Sequence, residues 1–428
     1  MCNFAGMNLT EKDQQYIWHP FTQMKTALPA IPIVKAEGVY LITNDGRKII
    51  DAVSSWWTTI HGHSHPYLAK AAAEQLQTLD HVIFAGFTHP KAIELSERIL
   101  NKLPFLNKVF FSDNGSTAVE VAIKMAFQYW HNSNQPKTKI IAFKNAYHGD
   151  TFGAMSVGGR NAFTKPFFPF LFDVEFIDVP VAGKEEDTIF QIESLIKQND
   201  IAAFIYEPLV QGSAGMIMYN PKILDVLIEI CKKNRVLTIA DEVMTGFGRT
   251  GKWFATDYLN QKPDFMCLSK GLTGGTLPLG LTLCTQEIYN AFLSDDNSKT
   301  FFHGHSFTGN PISCAVACAS LDLLEKQETQ TQIQEISKFH TNFSQKISSV
   351  KKIKNIRQTG TILAIEINTN ENSSYFNSIR DSIYSFFLNR NILLRPLGNV
   401  LYIIPPYSIS ENELNEIYSS IEAFIDQF

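Results

Sequence analysis

The sequence predicts an α/β fold, with a large domain built on a mostly parallel sheet flanked by helices and a smaller α+β domain after it. Three observations lead there. At 428 residues the chain exceeds what one hydrophobic core usually serves. From about Pro66 to Pro311, apolar runs of strand length alternate with runs whose apolar residues step by three and four, the pattern of a parallel sheet wrapped by helices. Beyond that point the alternation gives way to a long amphipathic helix, short strands and a terminal helix. The expected division is an N-terminal segment 1–62 packing with the small domain and the functional site, a large domain 63–315 and a small domain 316–428.

In chain order, the apolar runs 38–43 and 47–50 flank Asn44, Asp45 and Gly46, which is a hairpin signal. Helices follow over 67–79 and 90–102, then a strand over 108–112. Val119, Ala122, Ile123, Ala126, Phe127 and Trp130 share one face of a helix that starts near Ser116. Strands over 139–143 and 201–206, a helix over 221–233, strands over 236–240 and 265–268 and a helix over 311–326 complete the large domain. The small domain is expected to hold strands 361–367, 392–395 and 401–404, with the polar run 368–374 as a surface loop. In such a fold, ligands bind at the carboxyl ends of the strands.

Composition narrows the function. With 18% charged residues, a net charge of −5 and no long block of like charge, neither nucleic acid nor an anionic membrane is expected as the main partner. Cys2, Cys231, Cys267, Cys284, Cys314 and Cys318 are scattered without CxxC spacing and read as reduced, buried thiols of a cytoplasmic protein. Residues 1–7 contain no basic region followed by an apolar one, so no export signal or membrane anchor is expected, and Met7 is an alternative start to Met1.

The chemistry concentrates at strand ends. Lys270 lies just beyond one apolar strand, and Asp241 closes another 29 residues earlier. That pairing suits pyridoxal phosphate (PLP), whose aldehyde takes up an amine and whose ring nitrogen stays protonated beside a carboxylate; strand-end Lys and Asp also serve simply to solvate a strand. Gly115 and Ser116 open a helix after a strand, where unpaired N–H groups either cradle a phosphate or are capped in the ordinary way. Tyr147 follows the 139–143 strand and could stack on a flat cofactor or cap the core. Glu207, which ends the 201–206 strand, adds another acid at the same edge and could order the cofactor ring or simply cap the strand.

Other motifs fail on mechanism. The run 246–252 reads as GxGxxG, but residues 241–245 separate it from its strand. Read as GxxxxGK, it carries Trp253 where a hydroxyl must ligate magnesium. Its glycines are expected to form a flexible loop presenting Arg249. His61, His63 and His65 alternate, but Gly62 and Pro66 break regular structure, and no metal site is expected. Residues 303–311 form a second polar turn before a helix.

Taken together, Asp241, Glu242, Val243, Gly246, Phe247, Gly248, Arg249 and Gly251, followed by Asp264, Ser269, Lys270, Gly271, Gly274 and Gly275, resemble the signature of the class III PLP-dependent aminotransferases. The runs 18–24, 54–57, 147–151 and 395–398 extend the likeness over nearly the whole chain, to members that make 7,8-diaminononanoate in biotin biosynthesis by aminating 8-amino-7-oxononanoate. The resemblance implies the type I fold of PLP-dependent transferases and a cytoplasmic homodimer with shared active sites acting on small molecules. It also implies residue roles: Lys270 holds the cofactor and acts as base, Asp241 pairs with the ring nitrogen, Gly115 and Ser116 bind its phosphate, and Tyr147 covers the ring. Gly304, His305 and Ser306 would come from the partner subunit, His305 and Ser306 toward the cofactor and Gly304 toward substrate. Phe21, Trp56 and Trp57 would line the substrate channel, and Arg395 would pair with the substrate carboxylate. Trp56 and Trp57 together point to S-adenosylmethionine as the amino donor, and Phe21, standing where relatives often have tyrosine, keeps lysine as the alternative. Another ω-amino acid aminotransferase, a nucleotide-binding protein built on 246–251 and a catalytically silent relative are the competing readings.

Overall fold

The computed structural model describes residues 8–198, 200–371 and 373–428. Met1, Cys2 and Met7, named above, lie outside them, as does one residue, Asn372, of the run 368–374. The centre is a seven-stranded sheet in the spatial order Lys108–Ser112, Gly280–Cys284, Phe265–Leu268, Leu237–Asp241, Ile201–Tyr206, Lys139–Phe143, Val174–Ile177. Gly280–Cys284 runs antiparallel to both neighbours, and the other six share one direction. Ile201–Tyr206 and Leu237–Asp241 are buried at every residue, which is why they read as unbroken apolar runs rather than alternating ones.

Four of the flanking helices start by the same local rule. Pro66, Pro90, Pro221 and Pro311 each open a helix, and His65, His89, Asn220 and Asn310 just before them cap its first turn with a side-chain acceptor. The expected helix near Ser116 spans Gly115–Asn132, capped by Asn114. Its Trp130 is buried and donates its indole N–H to Ala202 O at 2.8 Å, fastening the helix to the sheet. Val174–Ile177, Glu185–Ile196 and Gly280–Cys284 were not foreseen. The last passes so close to the start of the Gly115–Asn132 helix that a Cβ on Gly280 would lie 2.3 Å from Asn114 O.

Two smaller sheets knit the chain ends together. Ile353–Thr359, Ile362–Ile367 and Val400–Ile403 form one antiparallel sheet. The predicted hairpin, Tyr40–Thr43 with Lys48–Asp51, is extended on one side by Ile33–Glu37 and on the other by Ile392–Leu393, which runs parallel to Lys48–Asp51. The expected strand 392–395 is thus only two residues long, since Pro396 has no N–H for a ladder and restrains Arg395.

The five described cysteines are buried and free. The alternating histidines face different partners: His61 meets Ser320 Oγ at 3.0 Å, His63 meets Asp51 Oδ2 at 2.9 Å, and His65 accepts the Tyr67 N–H at 3.2 Å. No described helix is long and apolar enough to cross a membrane.

The joint between the small antiparallel sheet and the loop that follows Leu237–Asp241 is tight. At Gly360 (φ 56°) a Cβ would lie 2.2 Å from the backbone carbon of Thr250, whereas at Gly46 (φ 87°) it would meet nothing within 4 Å. Gly360→Ala should therefore cost well over about 2 kcal/mol and Gly46→Ala only about 1 kcal/mol, the conformational term alone. Denaturant unfolding of both variants checks this; equal losses would show that the close approach is relieved cheaply.

Candidate active site

Because six strands of the large sheet share a direction, their carboxyl ends open on one edge, and the loops leaving them enclose a cavity of about 720 Å³. Asp113–Ser116, Tyr147–Thr151, Glu207, Asp241 and Lys270 line it, each from a different strand end. Asp241 and Cys267 are register partners on adjacent parallel strands, which brings Lys270 to the edge beside Asp241.

Lys270 opens a short 3₁₀ turn with φ 46°. Its Nζ lies 4.7 Å from the centre of the Trp57 ring. The side chain keeps part of its surface open to the cavity, yet the protein packed around the amine withholds enough water to push its pKa down to about 8. The charges of Asp241 and Glu207 oppose that shift, and Arg249 adds to it. Asp241 is buried and accepts the Val243 N–H at 3.1 Å on one oxygen and meets His148 Nδ1 at 2.7 Å on the other. An ionised carboxylate can only accept, so Nδ1 carries the proton. His148 Nε2, also buried, has no partner among the described residues.

Glu207 ties two loops, accepting from Tyr147 N at 3.1 Å and Gly212 N at 2.9 Å, and burial pushes its pKa up to about 7. Tyr147 donates its hydroxyl to Asp150 at 3.0 Å. At the helix start, the Gly115 and Ser116 amides, as first helical residues, have no intrahelical acceptor. The Ser116 hydroxyl is already committed: it accepts the Thr151 N–H at 3.0 Å and donates to Thr151 Oγ1 at 2.8 Å, which itself donates to Glu120 at 2.7 Å. What Ser116 offers an anion is its backbone. A Cβ on Gly115 would lie 2.5 Å from Val243 Cγ1, and one on Gly149 would lie 2.2 Å from Ser116 Oγ, so this cradle needs both glycines.

Beside the cavity stands an aromatic wall. Trp57 is buried, with its indole N–H donated to Tyr402 OH at 3.1 Å. Trp56 is 39% exposed, edge-on to Phe21 at 5.5 Å, with the Arg395 guanidinium over its face at 4.6 Å. Phe163 extends the wall, 6.3 Å from Phe21 and 4.9 Å from Tyr375. Gly304, His305 and Ser306 do not line this cavity. His305 instead holds its own turn through Thr308, its N–H reaching Thr308 Oγ1 at 3.0 Å.

One expectation is corrected. Arg249 is not presented by a flexible loop: it is 1% exposed, donates to Pro405 O at 2.8 Å and lies 5.2 Å from the Tyr407 ring. Tight packing fixes the loop, since a Cβ on Gly248 would meet Ile333 at 2.7 Å. Sequence reasoning also missed His148 and Phe163. His148 was legible as a titratable group next to Tyr147 in a carboxyl-edge loop; Phe163 left no signal, being one aromatic among several in its loop.

The donor set fits pyridoxal phosphate. It offers an anion cradle of free amides, a buried carboxylate seated by a histidine, and an amine whose neutral form is accessible near neutral pH.

A profile of the family aminotransferase class-III matches residues 22–425. The adenosylmethionine-8-amino-7-oxononanoate aminotransferase of Synechococcus elongatus is 46% identical over 421 residues, covering 96% of this chain and 99% of its own length. Its namesake in Staphylococcus aureus is 40% identical, with 95% and 94% covered. Among solved structures, the adenosylmethionine-8-amino-7-oxononanoate aminotransferase of Methanocaldococcus jannaschii superposes with a TM-score of 0.91 at 38% identity, over 97% of this chain and 98% of that one. An amine transaminase from an uncultivated Pseudomonas species, solved with PLP bound, gives 0.90 at 30% identity over 96% and 98%.

The depressed pKa of Lys270 sets a measurable rate. Only its neutral amine attacks an aldehyde, so capture of pyridoxal phosphate by the apoprotein should accelerate about fivefold from pH 7 to pH 8 and level off near pH 9. Borohydride trapping and peptide mapping across that range give the rate and the residue. A label on another lysine, or a rate still climbing tenfold per pH unit at pH 9, would contradict the assignment.

Proposed function

Because the chain belongs to the class-III aminotransferases, we propose that it transfers an amino group from S-adenosylmethionine to 8-amino-7-oxononanoate, giving 7,8-diaminononanoate in biotin biosynthesis. The observation that carries the chemistry is the meeting of the Lys270 amine and the Asp241–His148 pair at one sheet edge, above a free-amide helix start. The choice of substrates is supported by likeness, over nearly full length, to relatives bearing that name.

Pyridoxal phosphate, when bound, supplies a carbonyl that accepts nitrogen and a ring that accepts electrons. The chain's own residues do the rest. Lys270 would hold the cofactor through its amine and, with that amine free, would take the proton from the carbon that bears the donor's amino group. In the return half it delivers a proton to the corresponding carbon of the acceptor. A pKa of about 8 suits a group that must both give and take a proton near neutrality. Asp241, oriented by His148, holds the proton of the ring nitrogen in place. The Gly115 and Ser116 amides bind the phosphate, and Tyr147, its hydroxyl held by Asp150, covers the ring. Arg395 pairs with the substrate carboxylate, a bidentate task suited to a guanidinium. Phe21, Trp56 and Trp57 shape the channel. We place Gly304, His305 and Ser306 at the site of a second subunit in a cytoplasmic homodimer, a reading supported by their absence from the cavity lining of their own chain. The division into segment 1–62, large domain 63–315 and small domain 316–428 belongs to the same proposal.

A second reading, lysine as the amino donor, is favoured by Phe21, whose ring cannot offer the hydrogen bond of a tyrosine.

Arg395→Ala should raise the KM for 8-amino-7-oxononanoate about ten- to a hundredfold, the worth of a charge-assisted pair at roughly 1.5–3 kcal/mol. An unchanged acceptor KM would remove Arg395 from this role. For the donor, S-adenosylmethionine mixed with the PLP-loaded enzyme without acceptor should bleach the cofactor's visible band, the broad aromatic wall matching a sulfonium and a purine. If lysine bleaches it and S-adenosylmethionine does not, the donor is lysine and the aminotransferase reading stands.

A further inference from the structure

The turn that carries both tryptophans is held in a conformation its residues do not favour. Ser54 (φ 49°), Ser55 (φ 59°) and Trp57 (φ 67°) all lie at positive φ, and none is glycine. Ser55, with ψ −79°, sits near the rare, strained form of the γ-turn. Something outside the turn must hold it, and the residue in position is Asp51, the last of the Lys48–Asp51 strand. Its side chain is fully buried. Oδ1 accepts the Val53 N–H at 3.1 Å. Oδ2 accepts the Ser55 N–H at 2.6 Å and the Ser55 hydroxyl at 3.3 Å. His63 Nε2 meets Oδ2 at 2.9 Å from the other side, and the buried Arg249 guanidinium is the further cation that feels this charge.

We propose that Asp51, seated by His63, is a positioning residue for substrate recognition: its carboxylate gathers the N–H groups of the strained turn and so aims Trp56 beneath the Arg395 guanidinium. This rests on the reading of Trp56 and Arg395 as substrate contacts given above. Trp57 is held independently, by Val53 O and Tyr402 OH, so the carboxylate bears chiefly on Trp56. An asparagine in place of Asp51 could keep one acceptor, but whichever way its amide turned, its nitrogen would oppose a turn donor, the Val53 N–H or those of Ser55, with donors of its own. The turn would then relax toward ordinary φ, and Trp56 would leave Arg395.

The test is kinetic and epistatic, on the PLP-loaded full chain. Asp51→Asn should load cofactor and label at Lys270 as the parent does, while the KM for 8-amino-7-oxononanoate rises at least tenfold and kcat falls less than threefold. Ser55→Gly added to it should recover at least threefold in KM, because glycine takes φ 59° without a Cβ penalty. A buried charge with a merely structural role would lower Tm without this KM-selective loss or its rescue by glycine. Should Asp51→Asn not fold, His63→Leu gives the same readout with the backbone partners intact, and a rise of about threefold is expected. Trp56→Ala separates the two layers. A raised KM there with a parental KM in Asp51→Asn and His63→Leu overturns the role of Asp51 alone. A parental KM in Trp56→Ala overturns the reading of the wall, and the role of Asp51 with it.

Discussion

The parallel pairing of Leu237–Asp241 with Phe265–Leu268 is the constraint on which the site depends. It places a carboxylate and an amine at neighbouring ends of two buried strands, where neither can move without breaking a ladder inside the core. The anion cradle, the acids and the lysine all leave strands running the same way and so share one edge, while Trp57, Thr58 and residues 275–279 enter the cavity from elsewhere. The antiparallel Gly280–Cys284 strand fits into that arrangement because Gly280 lets it pass the start of the Gly115–Asn132 helix.

Three neighbouring acids at that edge keep different partners. Glu207 and Glu242 receive hydrogen bonds but no facing cation at contact distance, and desolvation pushes both up to about 7. Asp241 has His148 against it at 2.7 Å. Asp241 and Glu242 are sequence neighbours, yet one faces the cavity and the other binds the Ala255 and Thr256 amides at 3.1 and 2.7 Å. The alternation of side chains along an extended backbone separates a cavity-facing acid from a loop anchor. Pushed up to about 7, Glu207 and Glu242 carry less charge near neutral pH than ordinary carboxylates would.

Much of this was legible in the sequence, for identifiable reasons. Buried strands such as Ile201–Tyr206 announce themselves as continuous apolar runs, and a proline after a capping residue marks four helix starts. Lys270 and Asp241 were visible because each ends such a run. Gly280–Cys284 was hidden by its glycine and threonine, and Val174–Ile177 by its shortness and its glutamate. Arg249 was misplaced because a glycine-rich run suggests mobility, whereas here the glycines exist to let side chains and backbone crowd in. The Arg395–Trp56 stack joins residues far apart in the chain, and no local pattern could reveal that contact.

The pairing of Ile392 with Ile50 and of Leu393 with Asp51 has a consequence for biosynthesis. The strand that leads into the tryptophan turn is made before the seven-stranded sheet, and its outer neighbour after all seven of those strands. Closing so large a loop is slow compared with local helix formation. Until the C-terminal segment emerges from the ribosome, the N-terminal hairpin lacks its fourth strand, and Ser54 lacks the Ile404 carbonyl to which it donates. The nascent chain can pair the strands of the seven-stranded sheet first, while the tryptophan turn waits for residues 392–404. A chain interrupted between Cys284 and Ile392 would therefore carry the sheet edge without the strand that braces that turn.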